Sequence, residues 1–317
     1  MIRGGGLNPA LDVTHHVPGV DWAGVNRPAV VAARAGGKGL NVARTLRAIG
    51  AEVQVIGLAG GITGEQVVSA LGALGVPAGF TRIGGETRRT FAVVDTARGG
   101  TALFSEPGPA VGPDEYAEFC VRYEKALAGC SAVVLSGSLP RGLPPDTYAE
   151  LGAMAAAAGV PAVLDAHGEA LRLGVAARPA IAKPNLAELE ALAGRSLSTA
   201  GGADKAAVAL AARELMAAGP QAVVVTLGAD GLWAVTGDGS WQAVPPADVG
   251  GNPTGAGDAV AAGLVHGLVL ERPWEERLRH AAALVTAAAA APVAGEYSHA
   301  DYATALAGVT VSRGEAG

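Results

Sequence analysis

Cysteine, lysine and charge of either sign are scarce in this 317-residue sequence. The two cysteines, Cys120 and Cys130, are too few for a disulfide scaffold or for a metal site with four thiolate ligands. Charged residues make up 16% of the chain and hydrophobic residues 50%, which excludes a disordered or polyelectrolyte protein. The formal net charge of −6 argues against sequence-independent nucleic-acid binding, because that binding requires a basic surface.

The sequence also lacks any apolar run of about 18 residues without glycine or charge, so it predicts no membrane span. Its first residues include Arg3 and then read GGGLNPALD, which lacks the apolar core of a signal peptide. The dinucleotide-binding pattern G-x-G-x-x-G is absent too, which weakens a nicotinamide or flavin function. These absences favour a soluble cytoplasmic protein.

Strand-like and helix-like segments alternate through most of the chain, which predicts an α/β fold with a mainly parallel sheet. The main predicted strands are 52–57, 132–135, 161–165, 180–182, 221–227 and 232–236. The main predicted helices are 64–74, 113–127, 259–270, 273–291 and 299–306, with a further helical pattern within 35–50.

A different pattern appears at 90–95 and 101–105, which predict a hairpin with no helix between its strands. Together with strand-like residues 6–17 and 28–35 they predict a small antiparallel sheet outside the main fold. Such a sheet would act as a lid that excludes water from a transfer reaction.

The stretch 248–263, DVGGNPTGAGDAVAAG, carries the strongest signal for chemistry. Gly255, Ala256 and Gly257 form a turn of small residues before a helix, where free backbone N–H groups bind anions. Asp258 follows at once, so an anion cradle and a carboxylate base are adjacent. This pairing suits phosphoryl transfer to a hydroxyl. A glycine-rich loop with an aspartate helix cap is the structural alternative.

A second glycine-rich helix start, AGGKGLNVAR at 35–44, predicts another site for a polar or anionic ligand. Gly37 precedes the helix, and Lys38 and Asn41 lie in its first turn. Only four of the 23 basic residues are lysines, and two of these, Lys38 and Lys183, lie in glycine-rich or Pro-Asn motifs. A tight turn with a solvated lysine is the alternative.

Other polar candidates also have two interpretations. Asp12 either binds substrate hydroxyls or caps a turn. Ser138 and Arg141 follow a predicted strand, at the edge where open parallel sheets bind ligands. Arg88 opens the hairpin and would suit a phosphate, although an exposed arginine is the simpler explanation. His167 has no partner visible in the sequence, which favours a structural role.

The motif KPNLAEL at 183–189 predicts a helix start with Asn185 as N-cap and Glu188 completing a capping pair. In the functional alternative both residues lie beside a metal-bound nucleotide, with Glu188 reaching magnesium directly or through water.

Taken together, these motifs resemble those of the ribokinase-like carbohydrate kinases, the PfkB family, and within it the branch that phosphorylates sugar phosphates. The matching segments are NPALD (8–12), VNR (25–27), AGGKGLNVAR (35–44), TR (87–88), EPGP (106–109), SGSLPRG (136–142), KPNLAEL (183–189), TLGADG (226–231) and NPTGAGDA (252–259). The resemblance implies a single ribokinase-like kinase domain over residues 1–311, with a frayed tail at 312–317. Its β lid, from about 6–35 and 87–106, would also form the contact of a homodimer.

The resemblance implies a role for each candidate. Asp258 would be the general base, and the amides of Gly255, Ala256 and Gly257 would hold the transferring phosphoryl group. The implied contacts to sugar hydroxyls are Asp12, Gly37 and Asn41, and those to the phosphate of the acceptor are Lys38, Arg88, Ser138, Arg27 and Arg141. The implied nucleotide contacts are Lys183, Asn185, Thr226, Gly228 and Gly231, with Glu188 near magnesium.

The implied activity is the ATP- and Mg²⁺-dependent phosphorylation of a ketohexose phosphate to the bisphosphate. Fructose 1-phosphate is the favoured acceptor, with tagatose 6-phosphate or fructose 6-phosphate as alternatives. A catalytically silent sensor of sugar phosphates or nucleotides is the alternative from another class, and the intact Asp258 argues against it. The resemblance leaves a K⁺ site open, because Asn252 and Pro253 stand where many relatives have Asp or Ser.

Overall fold

The computed structural model describes residues 1–246, 255–290 and 297–314. Within these ranges the helices are α1 (Lys38–Ala48), α2 (Gly61–Ala73), α3 (Pro113–Leu127), α4 (Thr147–Ala157), α5 (Gly168–Gly174), α6 (Leu186–Ala193), α7 (Lys205–Ala217), α8 (Ala256–Val269), α9 (Trp274–Ala290) and α10 (His299–Gly308). No helix in the described ranges is both long and apolar enough to cross a membrane.

The strands form one large sheet, one small sheet and a short two-stranded ribbon. They are β1 (Ile2–Gly6), β2 (Ala10–Val17), β3 (Val30–Gly36), β4 (Val53–Ala59), β5 (Ala78–Arg82), β6 (Arg88–Asp95), β7 (Thr101–Ser105), β8 (Ala132–Ser136), β9 (Ala162–Asp165), β10 (Ile181–Ala182), β11 (Ser198–Thr199), β12 (Gly202–Ala203), β13 (Ala222–Thr226), β14 (Leu232–Thr236), β15 (Gly239–Val244) and β16 (Thr310–Arg313).

The large sheet has ten strands in the order β16-β15-β14-β13-β10-β9-β8-β1-β4-β5. The strands from β13 to β5 pair in parallel, and β14, β15 and β16 add antiparallel pairings at one edge. The mainly parallel α/β fold is therefore confirmed. The edge strand β16 corrects the predicted frayed tail, because Ser312 and Arg313 pair with Gln242 and Trp241. Residues 315–317 of that tail lie outside the described ranges.

Helices cover both faces of the large sheet, which explains the uninterrupted apolar strands. In β8 the side chain of Val134 packs into the core shared with α1, α8 and α9, whereas Val133 and Leu135 pack on the other side with α3, α4 and α7. Successive residues of a strand point to opposite faces, so a strand buried on both faces is apolar throughout.

β1 lies between β8 and β4, where the chain reverses its direction of travel across the sheet. From β1 the chain proceeds to β4 and β5 on one side and, later, to β8, β9 and β10 on the other. Such a switch point leaves a crevice beyond the carboxyl ends of the two neighbouring strands. Here the crevice opens beside Gly6 and Ser136, the last residues of β1 and β8.

The small sheet has the order β3-β2-β6-β7 and lies apart from the large one. The separate sheet was predicted, but its antiparallel character holds only for β2 with β3 and β6 with β7. β2 and β6 pair in parallel, with Asp12 opposite Thr90. Parallel pairing needs a long crossover connection, and here the chain passes through β4 and β5 before it returns to β6.

Candidate active site

A cleft of about 630 Å³ lies between the small sheet and the carboxyl ends of β1, β8 and their neighbours. The candidates from the sequence that line it are Asp12, Gly37, Lys38, Asn41, Arg88, Ser138, Lys183, Asn185, Thr226, Gly255, Gly257 and Asp258. The candidates that do not line it are Arg27, Arg141, Glu188, Gly228, Gly231 and Ala256. The fold thus brings most of the predicted residues into one cavity, although they come from widely separated segments.

Asp258 lies in the first turn of α8, which begins at Ala256 after a left-handed Gly255 with φ of 82°. Its side chain is only 5% exposed, and its Oδ2 accepts a hydrogen bond of 2.9 Å from Nδ2 of Asn41. Burial and the nearby charge of Asp165 raise the pKa of Asp258 to about 7, against the opposing effect of Asn41. A carboxylate that titrates near neutral pH is suited to accept a proton from a hydroxyl.

α1 presents Lys38 and Asn41 to the cleft from a single face, because residues three apart in a helix are neighbours on its surface. The helix follows Gly37, whose φ of 92° is in the left-handed region that favours glycine. The opposite side of α1 is anchored by apolar residues such as Leu40, which is fully buried. The glycine therefore permits the turn, and the apolar residues fix the orientation of the polar face.

Asp165, the last residue of β9, is the most important residue of the cluster that sequence reasoning missed. Its side chain is fully buried, and its Oδ1 lies 3.0 Å from Nζ of Lys38 and 3.2 Å from Nζ of Lys183. Burial opposes the charged form of Asp165, but the two ammonium groups outweigh it and hold the pKa of the carboxyl below its usual range. One carboxylate oxygen thus joins the lysines of two separate motifs.

Arg88, the first residue of β6, connects the small sheet to the loops of the large one. Its Nη1 donates to Oγ of Ser105 at 2.7 Å, and its Nε donates to the carbonyl oxygen of Asn8 at 3.2 Å. Asn8 in turn donates from Nδ2 to Oγ of Ser138 at 3.1 Å. The guanidinium is therefore held in the cleft, near the hydroxyl groups of Ser105 and Ser138. Hydroxyl groups can donate hydrogen bonds to an anion beside the arginine.

Asp12 lies next to Arg88 on the cleft side of the small sheet. Burial raises the pKa of Asp12, while a hydrogen bond with Thr90 and the charge of Arg88 oppose that rise. A β carbon at Gly36, on the neighbouring strand, would collide with this carboxylate, so a larger residue there would displace the side chain of Asp12. The carboxylate of Asp12 therefore faces the cavity, with Thr90 and Arg88 beside it.

The N-cap interpretation of Asn185 and Glu188 is confirmed. Oδ1 of Asn185 accepts from the backbone N–H of Glu188 at 2.8 Å, and Oε2 of Glu188 accepts from the backbone N–H of Asn185 at 2.8 Å. Asn185 lines the cleft as well, whereas Glu188 does not. The capping role therefore coexists with a position at the cavity for Asn185.

Of the remaining candidates outside the cleft, Ala256 begins α8 and the others lie on loops. Arg27 is exposed between β2 and β3, and Arg141 is exposed with its Nε donating to the carbonyl oxygen of Gly108 at 3.2 Å. Gly228 and Gly231 form the turn that follows β13, next to Thr226. Asn252 and Pro253, on which the potassium question rests, lie outside the described residues.

Sequence reasoning also missed polar residues that the small sheet contributes to the cleft. These are Thr14, His16, Arg34, Thr90, Thr101 and Ser105. The signal was strand alternation, because residues with even numbers on β2, β3 and β6 point to the same side as Asp12. His15 and His16 lie on opposite faces of β2, since His16 lines the cleft and His15 stacks on Phe91. The sequence favours a structural role for His167, but the residue lines the cleft at the start of α5.

Comparison with known proteins gives one consistent picture. The family model for the pfkB family carbohydrate kinases matches residues 11–300. A 1-phosphofructokinase from Rhodobacter capsulatus is 40% identical over 278 residues, which cover 87% of this chain and 86% of that protein. Two structures of phosphofructokinase-2 from Escherichia coli cover 96% of this chain and 98% of theirs. The one in complex with potassium is 31% identical with a TM-score of 0.88, and the one with fructose-6-phosphate is 30% identical with a TM-score of 0.85.

Proposed function

Because the chain belongs to the pfkB family of carbohydrate kinases, we propose that it transfers the terminal phosphoryl group of ATP to a ketohexose phosphate. The favoured acceptor is fructose 1-phosphate, and the product is the bisphosphate. The observation that carries the proposal is the buried Asp258, with a pKa of about 7, in the first turn of a helix whose N-terminus faces two lysines. A base, an anion cradle and cations are the parts that phosphoryl transfer requires.

Asp258 accepts the proton of the attacking hydroxyl as the new oxygen–phosphorus bond forms. The bond between the terminal phosphorus and its bridging oxygen breaks, and ADP leaves with that electron pair. The backbone amides of Gly255, Ala256 and Gly257 stabilise the charge on the transferring group. The position of Lys183 supports this role for the amides. Its Nζ lies close to Gly257, because a β carbon built on Gly257 would be 3.5 Å from that atom. A cation and free helix amides therefore border the same space.

The phosphate already on the acceptor is bound by Arg88, beside Ser138 and Ser105. A guanidinium offers a planar set of donors that matches phosphate oxygens, and the adjacent hydroxyls add further donors. Asp12, which interacts with the charge of Arg88, and Asn41, which donates to Asp258, hydrogen-bond the sugar hydroxyls. Support for this division comes from the cleft, which contains both Arg88 and Asp258 and is lined by all of these residues.

The nucleotide occupies the part of the cleft near Lys183, Asn185 and Thr226, and magnesium accompanies it. No cluster of three or more His, Cys, Asp or Glu residues suited to a metal occurs in the described ranges. This fits a magnesium ion that is held mainly by nucleotide phosphates and water, with Glu188 as the nearby carboxylate. The capping bond uses Oε2 of Glu188, and this carboxylate would hold the metal directly or through water. Bound magnesium would neutralise phosphate charge, and the chain would supply the lysines.

Fructose 6-phosphate and tagatose 6-phosphate are the alternative acceptors. The higher identity to the Rhodobacter 1-phosphofructokinase, 40% against 30% to the Escherichia coli enzyme in complex with fructose-6-phosphate, favours fructose 1-phosphate. A silent sensor is the alternative from another class. The near-neutral pKa of Asp258 supports the enzyme, since a sensor has no need for a tuned base.

The small sheet acts as a lid over the cleft and as the surface of a homodimer. It supplies one wall of the cavity through β2, β3, β6 and β7. It also exposes large apolar side chains at Val30, Val31, Leu103 and Phe104, each more than half exposed. Val30 and Leu103 lie on the cleft side, whereas Val31 and Phe104 lie on the outer face, on the two edge strands of the sheet. Exposed large apolar side chains on an outer face are typical of a protein–protein contact.

The decisive experiment measures ADP formation with MgATP and each of four acceptors: fructose 1-phosphate, fructose 6-phosphate, tagatose 6-phosphate and unphosphorylated fructose. We expect the highest kcat/KM with fructose 1-phosphate. Asp258→Asn should retain ATP binding and lose roughly 10²-fold or more of kcat. Asp204→Asn is the matched control, because Asp204 caps α7 away from the cleft and asparagine preserves a cap. Absence of turnover with every acceptor would overturn the proposed function.

A further inference from the structure

A fully buried carboxylate, that of Asp165, lies between the two lysines that line the cleft. Asp165 ends β9 at 0% exposure, beside Ser136 on the neighbouring strand β8. Its Oδ1 accepts a hydrogen bond from Nζ of Lys38 at 3.0 Å, and Nζ of Lys183 lies 3.2 Å from the same atom. The three residues come from three segments, so only the folded chain brings them together.

We infer that Asp165 is a positioning residue that holds Lys38 and Lys183 at one point, where the phosphoryl group passes from nucleotide to acceptor. The inference rests on the proposed function, which assigns Lys38 to the acceptor and Lys183 to the nucleotide. An ammonium group has three donors, so each lysine can bond Asp165 and still donate to phosphate oxygens. The shared oxygen keeps both cations in place before either substrate binds.

Electrostatics explain why a buried carboxylate is needed there. Lys183 is 3% exposed, and two ammonium groups that share a buried site would repel each other without a counter-charge. A neutral acceptor such as an amide could form the hydrogen bonds but could not offset that repulsion. Preorganised cations aimed at the transferring group contribute most of the catalysis in phosphoryl transfer. Loss of the anchor should therefore lower kcat more than it weakens substrate binding.

Asp165 also influences the base. Asp258 faces Asp165 from β9, Lys38 and Asn41 from α1, and Lys183 from the end of β10. After burial, the charge of Asp165 is the largest influence that raises the pKa of Asp258. An uncharged residue at 165 removes that influence and leaves the two lysines unneutralised, and both changes favour the ionised form of Asp258. The pKa of Asp258 should therefore fall.

The first test is Asp165→Asn, with kcat and KM measured for both substrates across pH. We expect kcat to fall roughly 10–100-fold, the range that misplaced catalytic groups produce. KM for ATP and for the sugar phosphate should stay the same or decrease, because the site becomes more positive. The acid limb of kcat/KM should move to lower pH. A rise in both KM values with an unmoved acid limb would show a merely structural role and overturn the inference.

A second variant covers the case in which Asp165→Asn fails to fold, since it leaves two lysines without their counter-charge. In Asp165→Asn/Lys183→Gln the carboxylate is removed together with one ammonium partner. Compared with Lys183→Gln alone, the double variant should show the acid limb of kcat/KM at lower pH. If Asp165 acts through the lysines, its substitution should cost less in this background than in the wild type. If the fold-loss of kcat in the double variant equals the product of the losses in the two single variants, the residues act independently and the inference is contradicted.

A third measurement needs no turnover and separates this inference from the proposed function. The side-chain carboxyl carbon of Asp258 can be titrated by NMR in protein with ¹³C-labelled aspartate, with Asp258→Asn identifying the signal. We expect its titration midpoint to move to lower pH in Asp165→Asn and to stay unchanged in Asp204→Asn. An unmoved midpoint would overturn the inference even if the kinase activity is confirmed. A moved midpoint without activity on any acceptor would instead overturn the proposed function.

Discussion

Asn41 donates a hydrogen bond of 2.9 Å to Oδ2 of Asp258, a residue that follows it by 217 positions in the chain. Both side chains are buried at the base of the cleft. Burial raises the pKa of Asp258 to about 7, and the amide of Asn41 opposes that rise because it bonds the charged form. The strength of the base is thus set jointly by the starts of α1 and α8.

Removal of this amide should make Asp258 harder to ionise. In Asn41→Leu, which keeps a similar volume, we expect the acid limb of kcat/KM to move to higher pH. At pH 7 the rate should fall about tenfold, the effect of one hydrogen bond to a charged group. Rates measured from pH 6 to 9.5 check this. A loss of equal size at every pH would mean that Asn41 orients the substrate without affecting the base.

The wild-type rate should follow the ionisation of Asp258. Below about pH 7 we expect kcat/KM to fall tenfold for each pH unit, because the protonated carboxyl cannot accept the hydroxyl proton. Above that pH the profile should level off. The phosphate of the acceptor titrates near pH 6, so its limb lies roughly one unit lower. A limb centred at pH 6 or below would contradict a pKa of about 7 for Asp258.

The same pKa predicts an effect on stability. In the unfolded chain an aspartate titrates near its ordinary value of 3.8, whereas Asp258 in the folded chain titrates near 7. Between these values the folded state binds more protons, so the free energy of unfolding falls as pH rises through this range. Asp258→Asn should therefore raise Tm at pH 8, by roughly 3 °C or more, and raise it less at pH 5. Calorimetry at both pH values tests this, and a difference independent of pH would contradict it.

Local signals in the sequence were sufficient for most helices and many strands. α3 spans Pro113–Leu127 and β14 spans Leu232–Thr236, as predicted to the residue. Each has clear local boundaries, with Gly112 and Pro113 opening the helix and glycines flanking the strand. The two glycine-rich helix starts were recognisable for the same reason, since a left-handed turn before a helix needs glycine.

β1 was missed because its sequence, IRGGG, has almost no strand propensity. The large sheet nevertheless needs small residues in β1. A β carbon at Gly5, for example, would lie 2.9 Å from the carbonyl oxygen of Val134 on β8. Close packing against neighbours, which only the folded chain reveals, selected those glycines. Asp165 was missed for a related reason. Its partner Lys38 is 127 residues away, so no local pattern marks the ion pair.

Arg88 is expected to govern acceptor binding. In Arg88→Ala we expect KM for the phosphorylated acceptor to rise roughly 10–100-fold, because hydrogen bonds to charged groups are worth about 1.5–3 kcal/mol each. KM for ATP should change little. Arg88→Lys keeps the charge but loses the planar set of donors, so it should recover only part of the affinity. Equal changes in both KM values would remove Arg88 from the phosphate-binding role.

The small sheet should carry the dimer contact. Phe104 on β7 is 51% exposed on the outer face of the small sheet, and Val121 on α3 is also 51% exposed but lies outside that sheet. A buried carboxylate without a partner is costly, so Phe104→Asp should weaken dimerisation at least tenfold, whereas Val121→Asp should not. Analytical ultracentrifugation across a concentration series measures both dissociation constants. A wild-type chain that stays monomeric at micromolar concentration, or equal weakening by the two substitutions, would exclude the small sheet as the dimer contact.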